Sequence, residues 1–312
     1  MARRPLPQTA GSTLLTDSGI ETEIIFGVGR DLPAFAVFPL LSDDEGRVIL
    51  ERYYREHVAV AAEHGLGYVF ETPSYRSSAD WGTTLGYSQE ELDSIDREGV
   101  AFLEWIRDTS SDRLGPSPVS GLLGPRGDGY VVGATMSSEL SRAYHSHQIE
   151  VFADAGCDLV SGCTLNYADE GLGIALAARD HDIPVMLYFT LETDGRLPDG
   201  SRLRDAIRRV DDAAGGYVAY YGINCAHPDH IQVALGDLDV ESSRVRAIRA
   251  NASRLSHAAL DVAEELDQGD PVELAVGYSR LRQALPNVSV FGGCCGTSVT
   301  HISHIAAAVT EP

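Results

Sequence analysis

Eight times along this chain an apolar, strand-like run gives way to a cluster of Gly, Ser, Asn or Thr and then to an amphipathic helical stretch. The apolar runs cover residues 13–16, 68–71, 118–123, 158–161, 184–189, 217–223, 244–248 and 288–291. Helical spacing follows at 48–63, 90–108, 138–155, 170–179, 203–213, 230–235, 271–285 and 299–309. Strands buried on both faces read as continuous apolar runs rather than as alternating ones. Eight such units predict an α/β fold, a single (β/α)8 TIM barrel spanning residues 1–312, in preference to an open doubly wound sheet with an appendage. The seventh unit is the weakest. Residues 253–270 read as an elaborated loop with a short helix at 257–266.

Composition narrows the function. Lys plus Arg is 24 and Asp plus Glu is 46, a net charge of −22. Nucleic acid and anionic membrane surfaces need a basic footprint, so both are set aside as partners. No apolar run approaches the roughly 20 residues that span a bilayer. The opening MARRPLPQTAGS has no apolar stretch after its two arginines, so it is not read as a secretory signal, and the cytoplasm is the expected compartment. The sequence leaves open whether the chain forms a homo-oligomer.

A parallel barrel places its chemistry at the C-terminal ends of the strands. The polar residues there are Asp17, Glu71, Thr72, Cys163, Thr190, Asn224, Cys225, Asn251, Cys294 and Cys295. Five cysteines in a long acidic chain do not form a disulfide framework. Cys225 follows the sixth strand; Cys294 and Cys295 follow the eighth, framed by Gly292, Gly293 and Gly296, which let the backbone turn sharply. Three thiolates on one rim suit Zn2+, which takes sulfur at about 2.3 Å and keeps a fourth position open in catalytic sites. Cys157 reads as a small buried hydrophobe. Asp17 reads equally as a turn residue or as a carboxylate for a cationic substrate group, and Glu71 is similar. His301 and His304 read as packing or solvent-facing, while His227 and His230 are candidates to support Cys225. The stretch from Gly124 to Gly129 lacks the spacing and Lys of a phosphate loop.

GINC at 222–225 and GGCCGTSVTHI at 292–302 resemble the thiolate motifs of the homocysteine S-methyltransferase family. LLTDSGIETEI (14–24), GLLGPRGD (121–128), FTLETDGRLPDG (189–200) and IRANAS (248–253) resemble further family segments in the same order. The resemblance implies a (β/α)8 barrel with zinc held by Cys225, Cys294 and Cys295. It implies methyl transfer from a sulfonium or quaternary ammonium donor to a thiol acceptor, homocysteine giving methionine by default. Asp17 matches an aspartate that helps bind the amino group. Cys163 stands where the family has a glutamate for that ammonium, and Asp169 or Glu170 is the expected compensation. Arg126 replaces a common aromatic, putting a cation near the rim. The site is therefore expected to use Asp17, Cys163 and Asn224 in catalysis and Asp17, Glu71, Thr72, Arg126, Thr190 and Asn251 in substrate binding. Two alternatives stand beside it: the same zinc chemistry on another thiol or selenol, and a non-catalytic barrel with a structural zinc closed by Cys163 or a histidine.

Overall fold

The computed structural model describes residues 6–310; Arg3 and Arg4 of the opening segment lie outside the described residues, as do the last two residues of the expected 1–312 domain. Its sheet is parallel throughout, with the strands adjacent in chain order. They are β1 (Leu14–Leu15), β2, β3 (Val119–Leu123), β4 (Leu159–Leu165), β5 (Val185–Thr190), β6 (Tyr220–Asn224), β7 (Val245–Ala250) and β8 (Val290–Gly293). Strand β2 comes in two segments, Gly67–Tyr68 and Phe70–Glu71. The first pairs with β1 and the second with β3, while β1 also pairs with β8. Val69 between them donates to Leu15 O at 2.8 Å, so the ring closes.

Outside the strands lie α1 (Asp44–Glu63), α2 (Gln89–Asp108), α3 (Ser138–Ala155), α4 (Ala168–Asp180), α5 (Leu203–Ala214), α6 (Pro228–Leu235), α7 (Pro271–Ala284) and α8 (Val299–Thr310). Local chemistry sets their ends. Ser88 and Glu91 form a reciprocal capping box at the start of α2. Asp43 accepts from Gly46 N at the start of α1, and Gly156 ends α3 in the left-handed region. None of the described helices is long and apolar enough to cross a membrane.

Two apolar clusters form the core. The larger fills the space between strands and helices. The smaller fills the lumen, with Leu14, Val69, Leu159, Met186, Tyr188 and Tyr220 among its members. The segment before β1 plugs the bottom: Gln8 is fully buried, donates to Tyr220 OH at 2.8 Å and accepts from Ser289 Oγ at 2.9 Å.

The expected barrel is present, with three local differences. Strand β4 runs past residue 161 to Leu165, because Thr164 takes φ 56° and a register shift there keeps the ladder going. Cys163 is therefore a strand residue whose thiol packs with the lumen cluster. The helix after β7 is only His257–Asp261. Between β1 and α1 the chain folds into short turns (Ile20–Thr22, Glu23–Val28, Pro33–Phe35, Phe38–Ser42) with no periodic pattern to announce them.

Candidate active site

Cys225 follows β6 and Cys294 and Cys295 follow β8, and backbone bonds lock these ends together. Cys225 N donates to Arg249 O at 3.1 Å, Cys294 N to Ala250 O at 2.9 Å and Gly293 N to Asp17 O at 2.8 Å. A Cβ at Gly292 would collide with the Thr16 side chain, and one at Gly293 with Thr297, so the eighth strand end approaches its neighbours as only glycine permits. The sulfurs of Cys225, Cys294 and Cys295 all lie within 4.8 Å of one another. Sulfurs on a tetrahedral zinc stand about 3.8 Å apart for bonds of about 2.3 Å, so the set fits a metal after small adjustment. Bonds to Cys294 and Cys295 and burial push the Cys225 thiol well above its usual range, while bonds with Cys225 and Cys294 pull Cys295 well below it. Cys163 and Cys157 are not in this group, so among the described residues three protein sulfurs converge.

Other side chains brace the ligands. Tyr130 OH donates to Cys295 Sγ at 3.3 Å, and its ring stacks on His257 with centroids 4.1 Å apart. His257 Nε2 lies 2.8 Å from Cys225 O and Nδ1 lies 3.0 Å from Glu192. Thr190 Oγ1 also reaches Cys225 O, at 3.4 Å. His227 instead caps α6, and burial drives its imidazole down to about 4.

A cavity of about 520 Å³ opens over the sulfurs, with Tyr75, Arg76, Trp81 and Tyr130 among its walls. Asp17, Cys163 and Arg249 also line it. Arg249 bonds Asp17 Oδ1 at 2.6 Å, reaches Glu71 with its other terminal nitrogen and donates to Gly293 O at 3.1 Å. Burial raises Glu71 to about 7 despite Arg249. Burial likewise raises Glu21, on the turn after β1, to about 7.

The expected site residues separate into groups. Asp17, Thr72, Cys163 and Asn224 line the cavity, but each is engaged or packed. Asp17 is paired with Arg249, so the cation expected from substrate comes from the chain. Thr72 Oγ1 accepts from Leu122 N at 2.9 Å, and Asn224 clasps Thr164 through Oδ1 (3.1 Å) and Nδ2 (2.8 Å). Glu71 and Thr190 sit behind the walls. Asn251 lies in a crevice behind Cys225, with its buried Oδ1 unpaired.

Arg126 does not put its cation at the rim. Its guanidinium pairs with Asp80 at 2.7 Å on the outer surface, because the loop after β3 turns it outwards over Tyr144. Nor do Asp169 and Glu170 compensate for Cys163: Asp169 pairs with Arg209, while buried Glu170 faces His145 and Arg126 N. Among the cavity and ligand-bracing residues that went unanticipated are Glu21, Arg76, Tyr130, Arg249 and His257. Arg249 is one of two arginines in β7, the other being Arg246, so nothing in the sequence singled it out.

Comparison with known proteins adds a second line. The homocysteine S-methyltransferase family model matches residues 14–309. The chain is 26% identical over 184 residues to homocysteine S-methyltransferase 3 of Arabidopsis thaliana, a match covering 58% of this chain and about half (52%) of that relative. It is 22% identical to homocysteine S-methyltransferase 2 of the same plant, covering 96% of this chain and 93% of that one. The metallated form of the homocysteine methyltransferase MmuM of Escherichia coli superposes with a TM-score of 0.73 over 95% of this chain and 96% of that one, at 22% identity, which speaks for the fold.

Proposed function

The chain belongs to the homocysteine S-methyltransferase family, and from that premise we propose that it moves a methyl group from a sulfonium or quaternary ammonium donor to a thiol, with homocysteine as acceptor and methionine as product. The reading is of a cytoplasmic enzyme with zinc as its metal. The observation that carries it is the convergence of Cys225, Cys294 and Cys295 beneath an open cavity. All three donors are sulfur, which favours zinc over harder cations. When bound there, zinc supplies a lowered pKa for an acceptor thiol in its fourth position.

The rest is positioning by the chain itself. The acceptor thiol gives its proton to solvent, its sulfur attacks the methyl carbon in line, the donor's bond to that carbon breaks, and the donor leaves as a neutral thioether or amine. The task of the walls is alignment. Tyr75, Trp81 and Tyr130 offer aromatic faces that suit a cationic donor. Tyr130 and His257 hold the Cys225 and Cys295 ends in place, and the Asn224–Thr164 clasp fixes the β4 and β6 rim. In this reading Asp17 acts through Arg249, Cys163 shapes the floor, and Thr72, Thr190 and Asn251 support the rim. A structural zinc is disfavoured because only three sulfurs gather. The same chemistry on a different thiol or selenol gains support from Cys163 and from the engagement of Asp17.

The test is methyl transfer to homocysteine from S-methylmethionine, S-adenosylmethionine and betaine, read by mass spectrometry on zinc-loaded protein. Methionine is the expected product. Turnover only with another thiol would shift the acceptor, and no turnover with any pair would overturn the reading.

A further inference from the structure

Two charged side chains on the cavity wall, Glu21 and Arg76, have no charged partner although neither is exposed; the other carboxylates of the lining without an ion pair, such as Asp261 and Glu265, are exposed. Asp17 and Glu71 share Arg249, so the obvious carboxylates for a substrate ammonium are already engaged from within. Glu21 is different. It lines the same cavity on the single turn Ile20–Thr22, and no ion pair or hydrogen bond to another residue engages its carboxylate. Cys225, Cys294 and Cys295 line that cavity with it.

Arg76 is its counterpart. The residue is only 7% exposed, yet no carboxylate of the described residues lies within 4.0 Å of it. Its Nε is buried without a partner, and its only hydrogen bond runs from Nη1 to Gly127 O at 2.9 Å. The guanidinium lies 4.0 Å over the Trp81 ring and 4.8 Å over Tyr75, which fixes it on the wall. Tyr75 lies beside Arg76 on this wall, and Glu21 lines the same cavity. A buried guanidinium without an anion is costly. In a chain of net charge −22, whose carboxylates are plentiful, its isolation is the more telling.

We propose that Glu21 and Arg76 are the specificity-determining pair of the cavity, Glu21 receiving the ammonium and Arg76 the carboxylate of an α-amino acid whose thiol reaches Cys225, Cys294 and Cys295. This rests on the thiol-acceptor reading above and deepens it. A sheltered anion, a sheltered cation and a sulfur site make a three-point complement to a zwitterionic amino-acid thiol. The role that Asp17 carries in the family resemblance passes here to Glu21.

Binding is measured by titration calorimetry on the zinc-loaded full chain, with no donor present. The probes are homocysteine, 4-mercaptobutanoate (no ammonium) and 3-aminopropane-1-thiol (no carboxylate). Each lost charge-assisted bond is expected to weaken binding about 10- to 100-fold. Glu21→Gln should weaken homocysteine by that factor and leave 4-mercaptobutanoate within about twofold. Arg76→Gln should weaken homocysteine and 4-mercaptobutanoate while sparing 3-aminopropane-1-thiol, and Arg76→Lys should recover part of the loss. The two truncated ligands on the unmutated chain give the same comparison without relying on a variant that folds. Equal weakening of all three probes by either variant, or no homocysteine binding to the unmutated chain, overturns the pair. The selective pattern without methyl transfer in the mass-spectrometric assay would keep the pair and sink the proposed reaction.

Discussion

Cys225 adopts φ 52°, a left-handed backbone that costs a non-glycine residue about 1–2 kcal/mol. That strain is held at a strand end where a thiol must turn towards two others. Replacing Cys225 with Ala is expected to drop zinc from about one per chain to near zero by elemental analysis, because two sulfurs remain of three. Cys225→Gly should lose the metal equally but unfold about 1 kcal/mol later in denaturant than Cys225→Ala, since only glycine relieves the strain. Arg249→Met leaves Asp17 and Glu71 buried without their cation, and denaturant unfolding should show a loss of about 3–5 kcal/mol. Full stability in that variant would mean the cluster contributes nothing. At this scale the cysteines were legible because an adjacent pair framed by glycines has few other uses. Arg249 was not. It shares the lumen with Ala247, but Arg246 is charged too, and the ladder with β6 shifts register between Val245 and Ala247, so alternation along the strand does not tell which arginine turns inwards.

At the scale of elements, α2 is tied to its surroundings by a buried acid. Asp96 accepts from Ser77 Oγ at 2.7 Å and from Gln148 Nε2 at 3.2 Å, linking α2 to the loop after β2 and to α3. Burial raises its carboxyl from 3.8 to about 7. The folded state therefore holds this proton more tightly than the unfolded one. The resulting stability is fully present below about pH 4 and is lost as the pH rises through 7. Between pH 5 and pH 8 the unmutated chain should lose roughly 2–4 kcal/mol relative to Asp96→Asn. Parallel unfolding curves for the two proteins across that range would refute the assignment. The helices themselves were readable within a few residues, because their apolar stripes and capping residues lie in contiguous sequence. The extension of β4 through Cys163 was not, since it depends on Thr164 meeting Asn224 from another strand. The outward turn of Arg126 depends in the same way on Asp80, 46 residues away.

For the molecule as a whole, charge and metal are the two levers. All 24 basic residues are arginine, against 46 acidic ones. Raising NaCl from 0.1 to 1 M shortens the screening length from about 10 Å to about 3 Å, and the melting temperature should rise as self-repulsion fades. A melting temperature that falls with salt would show that surface ion pairs outweigh the net charge. If Cys225, Cys294 and Cys295 hold zinc as proposed, stripping it with a chelator should lower the melting temperature by several degrees and adding it back should restore it, because the three sulfurs converge only when β6 and β8 are folded together. The barrel as a class was visible in the eightfold pattern; the contents of its cavity were not, because they are chosen by closure. That closure has its own consequence in Arg249. The guanidinium comes from β7, its carboxylates from β1 and β2, and its carbonyl partner from β8. The first half of the chain thus carries anions that only the second half can answer. Neither half-barrel expressed alone should persist as a folded unit, and mixing the two should recover structure, with the neutralised trio acting as the latch that tells a finished ring from an open one.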